Sequence, residues 1–192
     1  MVKKNIFTVL AIMLTFWLGY SFASQTSDKV DYNMEHSKAK PRTLELAVEL
    51  LKFEEGYSST PYLGTEGYLH IGYGQKLSNK KGLDPKDFKG RTTPKHAEYI
   101  LTNLVKSLIY RFEHGVHKYA FLSLSAERQA IIISMAYQMG IEGVLKFKRT
   151  WTKIYLGDFK SAAYAMLQSK WATQTPNRAR RHAETMRTGK LP

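Results

Sequence analysis

Glu54 and Glu55 stand together at the end of a stretch with helical periodicity, directly before Gly56. A carboxylic acid does proton-transfer work near neutral pH only if its surroundings keep the proton on. Two effects act that way on Glu55. The negative end of a helix dipole disfavours a carboxylate at a helix C-terminus. A neighbouring Glu54 carboxylate disfavours a second negative charge. Both suit a general acid. A Glu-Glu-Gly run alone is more often a solvated helix end, so the surrounding sequence has to decide.

Other chemistry is sparse. The six histidines show no metal logic, and the one close pair, His114-x-x-His117, lacks a carboxylate cluster beside it. There is no Gly-rich phosphate loop and no Ser-His-Asp arrangement. The absence of cysteine excludes disulfides and zinc-thiolate sites. No metal and no cofactor is expected.

The elements that position Glu55 follow from pattern and punctuation. Thr43 is a candidate cap for a helix whose Leu44, Ala47, Val48 and Leu51 keep i, i+3, i+4, i+7 spacing, and Gly56 is its stop. From Ser58 to Leu77 the sequence turns rich in Gly, Tyr, Thr and Pro, with Thr65-Glu66-Gly67 as a hairpin turn. Tyr68, His70 and Gly72 share one face of a strand there, and Leu69, Ile71 and Tyr73 the other. Residues 78 to 91 read as a polar loop with a short helical turn at Asp84-Pro85.

The remainder reads as helical. Thr93-Pro94 opens a long helix with the apolar stripe Ala97, Ile100, Leu101, Leu104, Val105, Leu108 and Phe112. Ser125 caps a central helix that runs to about Met139. Shorter helices are expected near 150–156 and 159–169, and a last one from Thr175-Pro176 to Gly189. The expected fold is α+β: a small antiparallel sheet lobe and a larger helical lobe, joined by the long helix at 94–112. A cleft between two lobes is a common substrate site.

The domain organisation is equally legible. Lys3 and Lys4 precede an uncharged run over residues 5 to 23, with an apolar core from Ile6 to Leu18 and a cleavage-like Ser21-Phe22-Ala23. Residues 1–23 are therefore expected to be a signal peptide or a signal-anchor, in transient contact with a membrane through residues 5 to 23. Residues 24–42 are polar and aperiodic, a linker, and residues 43–192 form the folded domain. Twenty-nine Lys plus Arg against sixteen Asp plus Glu give a net charge of +13. Such a surface draws polyanions, and charge alone does not choose among them. The export signal argues against nucleic acid as a partner, and a monomer is expected.

Several separated segments resemble one family in the same order. Phe53-Glu54-Glu55-Gly56 and the run from Pro61 through Tyr68-Leu69-His70-Ile71-Gly72-Tyr73-Gly74 are similar to the catalytic opening of the T-even phage lysozymes. Gln138-Met139-Gly140 and Gly143-Val144 resemble its central helix and turn. Ser169-Lys170-Trp171 through Thr175-Pro176-Asn177-Arg178-Ala179-Arg180-Arg181, then Arg187-Thr188-Gly189, resemble its C-terminal signature. The resemblance covers about residues 43 to 190. It implies a lysozyme-like fold and a muramidase that cleaves the MurNAc–GlcNAc bond of peptidoglycan glycan strands. With the leader, it implies an endolysin exported across, or anchored in, the host inner membrane, its domain in the periplasm and its effect host cell lysis.

The family's catalytic pattern is Glu, eight residues, Asp or sometimes Cys, five residues, Thr. Carried over, it gives Glu55 as the acid, Gly64 at the second position and His70 at the third. The spacing is intact and two side chains differ. Gly64 supplies neither base nor charge. A neutral His70, with an ordinary imidazole pKa of about 6.5, suits activation of water or nucleophilic attack. Glu66 is the nearest other carboxylate in the hairpin, but it does not occupy the motif position. Two alternatives stay open: lytic transglycosylation, and a silent fold that binds cell-wall glycan without cutting it. The resemblance further implies that Arg178 pairs with the catalytic acid, which opposes the dipole effect. It places Tyr137, Lys76 and Thr150 along the saccharide groove. Trp171 and Gln138 are expected to form a buried hydrogen-bonded pair. Arg180 suits a solvated basic face better than Arg178 or Arg181.

Overall fold

The computed structural model describes residues 37–192. The proposed leader and most of the linker lie outside the described residues. Helix α1 (Thr43–Glu55) buries Ala47, Val48, Leu50 and Leu51. Its cap differs from expectation. Arg42 occupies the cap position without a side-chain bond, and Thr43 is the first helical residue, fully buried. The Thr43 hydroxyl donates instead to Gln129 Oε1, which also accepts from the backbone N–H of Lys40 at 3.0 Å. A buried amide offers this hydroxyl a better partner than its own helix end does.

Three antiparallel strands follow in sequence order: β1 (Ser58–Leu63), β2 (Tyr68–Gly72) and β3 (Gln75–Lys81). Tyr62 pairs with His70, and His70 with Lys76. Leu69 and Ile71 point into the core, as the alternation requires. Strand β3 occupies residues where a loop was expected from 78 onward. Its Lys76, Lys80 and Lys81 are exposed, and lysine-rich sequence is how an edge strand avoids pairing with other chains. The polar composition that looked like loop is therefore edge-strand composition. A single 3-10 turn at Pro85–Asp87 is capped by Asp84.

Helix α2 (Pro94–Glu113) starts under the Thr93 cap and packs against α1, β2 and β3. Its buried line is Ala97, Leu101, Val105, Ile109 and Phe112, while Leu104 is exposed. A short α3 (Lys118–Ser123), not expected from the sequence, leads to the central α4 (Ala126–Leu145), capped by Ser125. Ile131, Ile132, Ile133 and Met135 are at most 1 % exposed, so α4 is the core of the helical part. Its helical geometry breaks at Gly140, with φ 75° and ψ 161°, next to the expected end at Met139. Then come α5 (Lys148–Tyr155), α6 (Phe159–Leu167) behind its Asp158 cap, α7 (Lys170–Gln174) and α8 (Pro176–Thr188). Gly189 closes α8 in the left-handed conformation, as expected. The fold is α+β. Among the described residues no single helix is long and apolar enough to cross a membrane.

Candidate active site

Glu55 is the last residue of α1, and Gly56, at φ 66°, turns the chain away behind it. The carboxylate is not left to the helix dipole. Arg178, on α8, donates from Nη1 to Glu55 Oε1 at 2.8 Å. Its Nη2 donates to Ser134 Oγ at 2.8 Å and to the Ser134 carbonyl at 3.1 Å, in the middle of α4. The guanidinium is thus wedged between three helices, 7 % exposed.

Glu54 has a different partner. It accepts from Arg181 Nε at 3.1 Å and Nη2 at 2.6 Å, with its side chain 3 % exposed. The sequence reading had Glu54 pressing its charge on Glu55. The structure adds counter-charges: Arg181 binds Glu54 in a bidentate pair, and Arg178, bonded to Glu55, also stands with Nε 3.9 Å from Glu54 Oε2. Arg180 reaches only the neighbouring Asn177, on the exposed side of α8. Removing a buried cation strands the groups it served. Arg178→Met is expected to destabilise the fold by on the order of 3 kcal/mol, read as a lower urea midpoint.

His182 lies one helical turn beyond Arg178 and is fully buried. Its Nε2 is 2.8 Å from Ser134 Oγ, and its Nδ1 is 3.8 Å from Glu54 Oε1. Burial, then the charges of Arg178 and Arg181, hold its pKa down to about 3, from an ordinary 6.5. Below about pH 6.5 the unfolded chain therefore takes up a proton that the folded chain refuses. His182 contributes stability above that pH, which drains away as the pH falls toward 3. The melting temperature of the native chain is expected to fall more steeply between pH 6.5 and 4 than that of His182→Gln.

A cavity of about 280 Å³ opens beside Glu55, lined by Gly56, Tyr57, Ser58, Tyr62 and Gly72. The sheet furnishes the other groups. His70 is half-buried, and its Nδ1 lies 2.8 Å from the Gly74 carbonyl oxygen. A carbonyl only accepts, so Nδ1 is the donor here, and in the neutral ring Nε2 is the nitrogen with a lone pair. The ring stacks on Tyr62, with centroids 5.8 Å apart. A Cβ at Gly64 would lie 2.9 Å from both Cδ2 and Nε2 of His70. The imidazole edge thus fills the space that a side chain at position 64 would need.

Gly74 joins the two halves of the site. Its carbonyl holds His70, and a Cβ on it would lie 3.6 Å from Glu55 Oε2 and 3.8 Å from the Tyr137 ring. Its φ of 80° favours glycine as well. Tyr137 donates its hydroxyl to the Tyr73 carbonyl at 2.6 Å, and burial, then the Glu55 charge, raises its pKa. The Tyr62 phenol is raised by the same two causes in the same order.

Glu55, Arg178, Glu54, Tyr137 and His70 are therefore gathered around one α1 terminus and one strand turn. Thr150 and Lys76 do not line the cavity beside Glu55. Thr150 is 3 % exposed and lines a separate cavity of about 430 Å³, with Met139, Phe147 and Trp171. Lys76 sits on the edge strand with Nζ 3.4 Å from the Tyr68 ring centroid. Trp171 donates to Gln138 Oε1 at 2.8 Å as expected, but Gln138 is exposed, so the pair is not a buried one. His117 stacks on Trp151 at 4.5 Å, which gives it a packing role.

A family model for phage lysozymes matches residues 52–184, a span that holds Glu55, Gly64, His70 and Arg178. The chain belongs to the phage lysozyme family. It is 29 % identical over 160 residues to a probable T4-type lysozyme 1 of Dictyostelium discoideum, covering 74 % of this chain and 94 % of that protein. A probable T4-type lysozyme 2 of the same organism is 28 % identical over 160 residues. The pre-baseplate central spike protein Gp5 of Enterobacteria phage T4 is 28 % identical over 163 residues, which span 28 % of that protein.

Sequence reasoning about this lysozyme-family chain missed Tyr62, Gly74, Ser134 and His182. The first two lie inside the quoted opening motif and could have been singled out there. The last two are joined by a bond across 48 residues between two helices, and nothing local announces it.

Proposed function

We propose that the chain hydrolyses bacterial peptidoglycan at the MurNAc–GlcNAc linkage, with Glu55 as general acid and His70 Nε2 as general base. One observation carries the reading. Glu55, paired with Arg178, opens on a cavity, while the unprotonated nitrogen of His70 fills the space beside Gly64, the family's second position. In the reaction, Glu55 gives its proton to the leaving glycosidic oxygen as the C–O bond breaks. His70 Nε2 takes a proton from the water whose oxygen attacks the anomeric carbon. Direct attack by water inverts that centre. The +13 charge suits adsorption to anionic wall polymers.

Mass spectrometry of peptidoglycan incubated with the chain tests this. Muropeptides with reducing ends are the expected product. Anhydro-muramic ends would replace hydrolysis with transglycosylation. Wall binding without soluble products would leave a glycan-binding protein.

The second part of the proposal is location. Two lysines and an uncharged run over residues 5 to 23 carry the domain across, or hold it in, the host inner membrane, so that it acts in the periplasm. Fractionation of expressing cells should place the domain in the periplasm or the membrane pellet. Recovery in the cytosol alone would remove this part.

A further inference from the structure

We infer that His182 and Ser134, beside the Glu54 charge, form a hydrogen-bond relay of fixed direction that holds the Arg178 guanidinium under Glu55, which makes His182 and Ser134 positioning residues. The inference rests on the reading of Glu55 as the acid.

The direction follows from counting protons. Arg178 Nη2 is 2.8 Å from Ser134 Oγ and can only donate. The Ser134 hydroxyl has one proton of its own, and His182 Nε2 stands 2.8 Å away to accept it. The imidazole proton is then on Nδ1, which faces Glu54 Oε1 at 3.8 Å. That is too long for a hydrogen bond, and the ring's other polar contact is with the backbone of Arg178, one turn earlier in α8. The attraction of Nδ1 to Glu54 is electrostatic and crosses a buried, low-dielectric gap. The order therefore runs from the Glu54 charge, through the His182 ring and the Ser134 hydroxyl, to Arg178 and Glu55.

Glu, His and Ser in this order do not make a nucleophilic triad here. Ser134 is fully buried, and its oxygen already accepts from Arg178, so no substrate reaches it. The relay fixes a hydroxyl rotor instead. With Nε2 as its acceptor, the hydroxyl keeps a lone pair turned to Arg178. A second proton on the ring would set two donors against one oxygen and leave the hydroxyl proton without its acceptor. The charged groups facing the ring are Glu54 from α1 and Arg178 and Arg181 from α8. Helix α4 presents Ser134, and α7 presents the Trp171 ring at 5.8 Å.

The test uses the full chain and two readouts. His182→Leu, which removes the acceptor but fills the space, is expected to lower kcat on soluble glycan strands roughly ten- to hundredfold, with KM unchanged. His182→Gln, which can accept through Oε1, is expected to recover most of that loss. Ser134→Ala should match His182→Leu. A folded His182→Leu chain with native kcat, or a Gln variant no better than Leu, overturns the relay. The second readout does not depend on activity. Nitrogen-15 NMR of histidine-labelled protein at pH 6, with His182→Gln as the subtraction control, is expected to show His182 protonated on Nδ1 alone. A proton on Nε2 overturns the relay. An inactive native chain with the expected tautomer would overturn the hydrolase reading and leave the relay standing.

Discussion

Glu55→Gln is expected to lower peptidoglycan cleavage by roughly 10²- to 10⁴-fold, the range a positioned general acid supplies. The substitution is well controlled by its surroundings. A glutamine carbonyl still accepts from Arg178 Nη1, which now bonds Glu55 Oε1 at 2.8 Å. Arg178 also keeps its two bonds to Ser134. The fold should therefore survive, with a melting curve close to native, and the amide has no proton to give a leaving oxygen. Release of reducing ends, measured at enzyme concentrations spanning a thousandfold, checks the claim. A Gln variant within a factor of three of the native rate removes Glu55 from the mechanism. Arg178→Met is a different experiment, because it attacks the fold and the acid together.

The second large effect concerns the exchange between positions 64 and 70. His70→Ala is expected to cost roughly a hundredfold or more in rate, by loss of the base. Gly64→Asp alone should not help. Its Cβ would meet His70 Cδ2 and Nε2 at 2.9 Å, so the new carboxylate and the imidazole compete for one space. The pair Gly64→Asp with His70→Thr restores the family pattern, and the smaller threonine vacates that space. The double variant is expected to exceed both His70→Ala and Gly64→Asp by at least about tenfold, a strongly non-additive result of the kind contacting residues give. Additive losses would mean that the two positions are independent and that His70 has not taken the vacant role. Equal activity of His70→Ala and the native chain would end the base assignment directly.

Much of this was legible before any coordinates, and the reasons are local. Helix starts at Thr93 and Ser125 follow from short side chains that bond backbone N–H groups two or three residues on. The α8 stop follows from a glycine. The pairing of Glu55 with Arg178 spans 123 residues, and only the family resemblance made it visible. Thr43 has the chemistry of a cap, but Gln129, 86 residues away, binds its hydroxyl. Strand β3 has loop-like composition because it lies at an edge. Glu54 looked like a like-charged neighbour because Arg181 is invisible from residue 54. Thr150 and Lys76 were placed by correspondence alone; the structure adds that Thr150 is buried and that the Lys76 ammonium lies over the Tyr68 ring. For Thr43 and Glu54 a partner far along the chain decided what the local sequence left open.

The two arginines that serve Glu54 and Glu55 both come from α8, three positions apart on the last helix of the chain. The acid is encoded near the start of the domain and its cations near the end. A chain without α8 carries Glu54 and Glu55 without these arginines. Loss of α8 would therefore take both counter-charges from the end of α1 at once, so the charge state of this site depends on α8 being docked.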